Sequence, residues 1–154
     1  MNLKIINYSL GRLLQVLALL MAAPLLVAFL YREGLSDKIN FIIPILIAFS
    51  IGKILTKFGD ESANIYTREA LFITAACWVI FSGIGAIPLY LTPTNYHTFL
   101  DAFFEMASGF TTCGASVALD VELLPHSIIF WRSFSHLIGG MGILVFTLAI
   151  LPKS

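Results

Sequence analysis

A short hydroxyl-rich segment, Ser108-Gly109-Phe110-Thr111-Thr112-Cys113-Gly114-Ala115-Ser116, lies between two strongly apolar stretches of the sequence. Non-helical backbone at membrane depth is tolerated only where it is buried in protein or lines a water-filled cavity. Carbonyl and hydroxyl oxygens in such a loop can replace the hydration shell of a cation. The segment therefore indicates an ion path through a membrane rather than the active site of a soluble enzyme.

The loop of residues 111–116 offers oxygens from both the main chain and the side chains. Gly114 permits the positive φ that would turn carbonyls toward a pore axis, and Thr111, Thr112 and Ser116 add hydroxyl groups. A predicted helix ends immediately before the loop. Its unpaired C-terminal carbonyls and the negative end of its dipole would face the same cavity.

Long uncharged runs indicate that the chain spans a membrane. The sequence is 58% hydrophobic and only 12% charged, about half the ~25% charged content of soluble domains. Residues 13–31, 70–100 and 133–152 carry no charge, and runs of about 20 apolar residues are typical of transmembrane helices. The first run is longer than the ~7–15 apolar residues of a signal peptide, so we expect it to be a retained helix.

The apolar pattern predicts an all-α integral membrane protein. Four transmembrane helices are expected over about residues 10–31 (kinked at Pro24), 39–55, 67–91 and 126–151. A half-helix is predicted over about residues 98–110; at ~1.5 Å per residue it spans about 20 Å, too short for the ~30 Å hydrocarbon core. We therefore expect a two-helix lead-in over residues 1–66, and a helix, half-helix, loop and helix over residues 67–154.

The distribution of basic residues predicts a cytoplasmic N-terminus, because cytoplasmic loops carry an excess of Lys and Arg. If the half-helix does not cross, only Arg32 and Lys38 lie on the outer side. The basic residues expected on the cytoplasmic side are Lys4, Arg12, Lys53, Lys57, Arg68 and Lys153. Residues 92–124 contain no Lys or Arg, as an outer segment should.

Two separate motifs in the right order resemble a known family. The stretch Phe103–Ser116 looks like the first pore loop of the Trk/Ktr/HKT superfamily of potassium transporters. The stretches Leu124–Ser133 and Ile138–Ile143 look like the helix that follows it. The likeness is closest to the bacterial TrkH-type membrane subunit, which also begins with two extra helices. Residues 67–154 would then be its first helix–pore loop–helix (M1-P-M2) repeat, which is potassium-channel-like.

The resemblance implies a selectivity filter in the 111–116 loop. Gly114 would be the key filter glycine, and the carbonyls of Thr111, Thr112, Cys113 and Ala115 would be the candidate ligands. The transported ion would be K⁺, with no covalently bound cofactor and no metal site beyond K⁺.

The resemblance also implies a larger assembly in the bacterial cytoplasmic (inner) membrane. Family members carry four repeats in one chain around a central pore, whereas these 154 residues hold one. We therefore expect a fragment of a pore-forming subunit, or else an assembly of several copies. The implied partners are membrane lipid, the remaining repeats, a cytosolic nucleotide-binding regulatory subunit and, in the full-length form, a second copy in a homodimer. Zero net charge and the lack of a basic stripe give no indication of nucleic acid binding.

Two charges lie inside apolar segments, where ionisable groups are costly and face a cavity or a partner. Glu105 either lies near the ion path or pairs with Arg132 and so holds the half-helix to the last helix; we favour the pairing.

Gly139, Gly140 and Gly142 act either as a gating hinge or, as we favour, as sites of close helix packing.

The sequence leaves three alternative functions to compare with potassium transport. An enzyme is disfavoured, because His97, His126 and His136 lack metal-ligand spacing and no nucleophile motif is present. A non-conducting membrane scaffold that only binds full-length transporter chains is the main alternative. A small exporter of organic cations is the third, and it requires residues 98–116 to cross the membrane.

Overall fold

The fold is all-helical over the residues described by the computed structural model, which are 2–61, 65–92 and 96–150, with side chains described to residue 145. The helices are α1 (Leu3–Leu20), α2 (Ala22–Leu30), α3 (Leu35–Lys57), α4 (Thr67–Leu91), α5 (Phe99–Phe110) and α6 (His126–Ile150). The predicted all-α class is confirmed. Two residues used in the sequence-based predictions lie outside the described residues: Leu151, at the predicted end of the last helix, and Lys153, one of the basic residues that predict the orientation.

Among the described residues, four helical stretches are long and apolar enough to cross a membrane: Leu3–Leu30, Leu35–Lys57, Thr67–Leu91 and His126–Val145. Their outer faces carry large exposed apolar side chains such as Leu19, Leu30 and Leu144, which suit contact with lipid. Helix α5 has 12 residues and a length of about 18 Å, so it is the short half-helix that the sequence predicts.

The first span differs from the single kinked helix predicted over residues 10–31. It begins at Leu3, where Asn2 Oδ1 accepts a hydrogen bond from the Lys4 N–H at 3.1 Å. The helical path is interrupted at Met21. Pro24 has no N–H to bond the Leu20 carbonyl and its ring crowds that carbonyl, so the interruption falls one turn before the proline.

Helix α3 is longer than the predicted 39–55 because charged residues occupy both of its ends. Asp37 lies in the first turn and Lys57 in the last, where each complements the helix dipole. Pro44 lies inside this helix and is buried.

Helices α1 and α3 pack closely at a pair of facing glycines. A Cβ on Gly11 would lie 2.7 Å from the Gly52 carbonyl oxygen, and a Cβ on Gly52 would lie 2.8 Å from the Gly11 carbonyl oxygen. Nearby, Gln15 Nε2 donates a hydrogen bond to Thr56 Oγ1 at 3.4 Å. The lead-in helices are therefore a close-packed pair, as small residues at membrane helix interfaces permit.

Helix α5 packs against both α4 and α6, which places the end of the half-helix inside the protein. One buried cluster joins the lead-in to these three helices and includes Leu17, Met21, Met106 and Trp131. Trp131 Nε1 donates a buried hydrogen bond to the Gly85 carbonyl at 3.0 Å, which fixes α6 against α4. These two helices and the core between them position the loop that follows α5.

Candidate functional site

The half-helix α5 begins with a capping box. Thr98 Oγ1 accepts a hydrogen bond from the Asp101 N–H at 3.2 Å, and Asp101 Oδ2 accepts one from the Thr98 N–H at 3.1 Å. This reciprocal arrangement satisfies two donors that a helix start would leave unpaired. The start of α5 is thus fixed by local sequence.

The half-helix ends in a Schellman motif with threonine in place of the usual glycine. The Thr112 N–H donates to the Gly109 carbonyl at 3.0 Å, and the Cys113 N–H donates to the Ser108 carbonyl at 2.9 Å, the two bonds that define this motif. Thr112 has a φ of 59°, a left-handed conformation that is rare for a β-branched residue. Strain of this kind costs about 1–3 kcal/mol and is concentrated at functional sites.

The end of the half-helix pairs some of its carbonyls and leaves others free. The carbonyls of Ala107, Ser108 and Gly109 accept hydrogen bonds from the N–H groups of residues 111–114. Within the described residues, no hydrogen bond is donated to the carbonyls of Phe110 and Thr111, where unpaired carbonyls were expected. The helix end is capped by the loop itself, because the chain reverses at Thr112.

The 111–116 loop presents its own carbonyls instead. Within the part of the chain that the structure describes, no hydrogen bond is donated to the main-chain carbonyls of residues 111–115. All of these residues are exposed. A run of five consecutive unbonded carbonyl oxygens is an arrangement that can coordinate a dehydrated cation.

Gly114 lies in this run with a φ of +77°. A Cβ added there would meet only His136 Nε2, at 4.0 Å, so space does not require a glycine. The backbone conformation does, because L-residues with side chains rarely adopt it. Gly114 is also the residue that the family resemblance implies as the filter glycine.

Helix α6 contacts the end of the half-helix through Gly139. A Cβ on Gly139 would overlap the Phe110 carbonyl oxygen, whereas a Cβ on Gly140 would meet only Thr112 Cγ2, at 3.9 Å. A Cβ on Gly142 would lie 3.0 Å from Trp78. The three glycines that the sequence grouped as hinge or packing residues therefore face three different neighbours.

A buried aromatic cluster holds the last residue of the half-helix. Phe110 is fully buried. Its ring centroid lies 6.4 Å from Trp78, 5.9 Å from Phe81 and 6.1 Å from Trp131. Aromatic pairs at these separations stabilise one another beyond their burial alone. The start of the loop is thus anchored by α4 and α6 together.

The structure brings Glu105 and Arg132 together. Arg132 Nε donates to Glu105 Oε1 at 2.8 Å, and Arg132 Nη2 donates to the same oxygen. Glu105 also accepts hydrogen bonds from Ser116 and Val117, which follow the run of free carbonyls. The pair therefore lies behind the loop and not in the row of carbonyls.

The remaining reactive residues form no cluster. Cys77 and Cys113 are free thiols, and His136 Nδ1 lies 2.8 Å from the Arg132 carbonyl of its own helix. Within the described ranges, no group of three His, Cys, Asp or Glu side chains is arranged to hold a metal ion.

A family profile described as TrkH, a cation transport protein, matches residues 37–154. The chain belongs to the TrkH family. It is 39% identical to an uncharacterised cation transporter of Methanocaldococcus jannaschii over 149 residues, 97% of this chain and 31% of that protein. It is 35% identical to the Trk system potassium uptake protein TrkH of Salmonella typhimurium over 153 residues, 99% of this chain and 31% of that protein.

The structure is similar to that of a solved TrkH protein. It aligns with the crystal structure of the potassium transporter TrkH from Vibrio parahaemolyticus with a TM-score of 0.90 and 32% identity, covering 99% of this chain and 32% of that one. The predicted resemblance to TrkH-type proteins is confirmed, and the chain is a multi-pass membrane protein of this family. It spans about a third of the length of these relatives.

Sequence reasoning missed two parts of this site. The aromatic cluster around Phe110 was not predicted, because a pattern of apolar residues does not show which rings will contact one another. The bonds from Ser116 and Val117 to Glu105 were not foreseen either. The sequence shows that the half-helix contains a charged residue, but it does not show which loop residues will form hydrogen bonds with it.

Proposed function

We propose that this chain contributes one of the repeats that surround the K⁺ pore of a TrkH-type transporter, with the carbonyls of residues 111–115 as its part of the selectivity filter. The observation that carries the proposal is the run of five exposed, unbonded carbonyls in a loop fixed between a capped half-helix and α6. Neutral carbonyl oxygens replace the hydration shell of K⁺ without a charged ligand. Two of the relatives named above are described as potassium transport proteins.

The proposal also includes the organisation of the chain into two segments. Residues 1–66 form the two-helix lead-in and residues 67–154 form one helix–pore loop–helix repeat. Because residues 111–115 are exposed in this single repeat, we propose that further repeats are needed to surround an ion. They would belong to the rest of a longer chain, of which this is a fragment, or to other copies.

The membrane arrangement follows the basic residues. We place the N-terminus in the cytoplasm and the loop at the outer side of a bacterial inner membrane, as the excess of Lys and Arg predicts. The proposed partners are lipid, a cytosolic nucleotide-binding regulatory subunit and, for the full-length form, a second copy.

Selection by backbone carbonyls requires no covalent chemistry, so we propose no enzymatic activity.

The test replaces the matching third of Salmonella TrkH with this chain and measures rubidium and sodium uptake in a bacterium deficient in potassium uptake. Gly114→Ser is expected to abolish uptake or to reduce the preference for rubidium, because a side chain disfavours the φ of +77°. Gly83→Ser is the matched control, since a Cβ on Gly83 meets nothing within 4 Å. Unchanged selectivity in Gly114→Ser would contradict the filter assignment.

The same assay on these 154 residues alone separates two forms of the proposal. Rubidium uptake that Gly114→Ser abolishes would show that copies of the chain assemble a complete filter. The alternative function, a non-conducting scaffold, predicts no flux from the chain or the chimera and co-purification with a full-length transporter. The exporter hypothesis requires residues 98–116 to cross the membrane, and we disfavour it because the 12 residues of α5 are fewer than a span needs. Accessibility labelling on both sides of this segment tests it.

A further inference from the structure

The Glu105 carboxylate is bonded to the segment that leaves the row of free carbonyls. The Ser116 hydroxyl lies 2.9 Å from Oε1 and 3.1 Å from Oε2, and the Val117 main-chain N–H donates to Oε2 at 3.0 Å. The Glu105 side chain is only 4% exposed. A residue of the half-helix therefore holds the two residues that directly follow Ala115.

Arg132 of α6 completes the network. It donates to Glu105 through Nε and Nη2, and its Nη2 also lies 3.0 Å from Ser116 Oγ. The same Ser116 oxygen accepts a hydrogen bond from the Ala118 N–H at 3.2 Å. One buried carboxylate thus connects three elements: the half-helix, the segment after the loop and the following helix.

A buried charge is costly unless it is paired and hydrogen-bonded, and each of these partners is a donor that a carboxylate needs. Hydrogen bonds to charged groups are stronger than neutral ones and more restrictive in geometry. The 111–116 loop is otherwise exposed, so its two ends decide its path. The Schellman turn at Thr112 fixes one end, and the Glu105 bonds fix the other.

We infer that Glu105 is a positioning residue that determines ion selectivity, because its bonds to Ser116 and Val117 set the direction in which the Gly114 and Ala115 carbonyls point. This inference rests on the proposed function of the loop as a filter. It goes beyond an ion pair that merely holds α5 against α6, since that role would need only Arg132.

A charge swap separates the two roles. In the double variant Glu105→Arg with Arg132→Glu, an ion pair between α5 and α6 can form again. The side chain at position 105 can no longer accept the Val117 N–H, because a guanidinium has no acceptor. The swap therefore restores any helix-pinning role but not the positioning of the loop.

The experiment uses the chimera described above, with uptake of rubidium and sodium measured for Glu105→Gln, the charge swap and the exposed control Glu122→Gln. We expect Glu105→Gln and the swap to lower the preference for rubidium by about tenfold or more, the loss expected from one hydrogen bond to a charged group. Glu105→Gln should lower the amount of chimera in the membrane, and the charge swap should restore that amount. The control should change neither quantity.

Two results would overturn the inference while leaving the filter in place. The first is a Glu105→Gln variant whose rubidium uptake and whose preference for rubidium over sodium both equal those of the unsubstituted chimera. The second is a charge swap that restores both the amount of protein in the membrane and the preference for rubidium. A chimera that shows no rubidium preference even without these substitutions would instead contradict the proposed function.

Amide hydrogen exchange supplies a readout that does not need transport. In the purified protein, peptides covering residues 113–118 should exchange faster in Glu105→Gln, because a neutral amide oxygen accepts the Val117 N–H more weakly than a carboxylate does. They should exchange faster still in the swap, because arginine has no acceptor for this N–H. Peptides from α3 should be unchanged. Equal protection of residues 113–118 in all variants would show that Glu105 does not hold this segment.

Discussion

Glu33 and Ser127 are 94 residues apart in the chain, yet the Glu33 carboxylate accepts hydrogen bonds from both the Ser127 N–H, at 2.9 Å, and the Ser127 hydroxyl, at 2.5 Å. The first N–H groups of a helix have no partner within the helix, and a negative charge at this end is favourable. Next to this contact, the rings of Tyr31 and His126 stack at 4.2 Å. The turn between α2 and α3 therefore caps the first turn of α6.

Replacing this cap should destabilise the protein without altering the 111–116 loop. Glu33→Ala is expected to lower the free energy of unfolding by about 2 kcal/mol, as for hydrogen bonds to a charged group. Glu122→Ala, an exposed glutamate in the segment before α6, is the control and should have little effect. Thermal unfolding in detergent measures both. Additive effects of Glu33→Ala and Ser127→Ala in a double-mutant cycle would show that the two residues are not coupled.

Adjacent glycines in α6 should respond differently to alanine. Gly139→Ala is expected to abolish or strongly reduce uptake in the chimera, because its Cβ would overlap the Phe110 carbonyl at the start of the loop. Gly140→Ala should be tolerated, since its Cβ makes an ordinary contact 3.9 Å from Thr112 Cγ2. Uptake and membrane protein level are measured together. If the two variants behave alike, close packing at Gly139 is not what the site requires, and a hinge becomes the better interpretation.

The aromatic cluster makes a prediction about stability. Phe110→Ala removes a fully buried ring and should lower the free energy of unfolding by about 3–5 kcal/mol. Phe104 lies on the same helix and is 45% exposed, so Phe104→Ala is the matched control and should cost much less. Chemical unfolding followed by tryptophan fluorescence suits this test, because Trp78 and Trp131 flank the Phe110 ring. Equal losses in the two variants would contradict the role of Phe110 as an anchor.

Tyr96, between α4 and α5, should lose its hydroxyl proton at a higher pH than an ordinary tyrosine. Burial raises the pKa of its hydroxyl from 10.0 to about 12, and the negative charge of Glu105 adds to the effect. The unfolded chain loses this proton first, so the stabilising contribution is complete below pH 10 and is lost as the pH rises toward 12. Tyrosinate absorption, compared with Tyr96→Phe, measures the titration.

Glu105→Gln should lower the pKa of Tyr96, because it removes the negative charge that helps to raise it. The substitution leaves the positive charge of Arg132 in place. An unchanged titration in this variant would mean that the carboxylate does not act on Tyr96.

Local sequence determined the parts of the fold that depend on composition and capping. Long uncharged runs predict the spans, and the length of the segment before the loop predicts a half-helix, which α5 confirms over Phe99–Phe110. The positive φ at Gly114 also follows from local chemistry, since glycine is the residue that adopts it without strain.

What the sequence did not predict depends on contacts between distant residues. The Gly11–Gly52 approach, the Glu33 cap on Ser127 and the bonds from Val117 to Glu105 join segments far apart in the chain. A periodic pattern shows which residues are apolar, but not which backbone atoms will touch. The Schellman turn escaped prediction for a different reason, because a threonine occupies a position where glycine is expected.

Position 112 should respond differently to selection for stability and to selection for transport. In a library randomised at position 112, selection for thermal stability alone should enrich glycine and asparagine, which adopt a left-handed backbone at lower cost. Selection for growth on limiting potassium should instead retain threonine, because backbone strain of this kind is concentrated at functional sites. The left-handed Thr112 therefore marks a position where the most stable sequence and the fittest sequence are expected to be different.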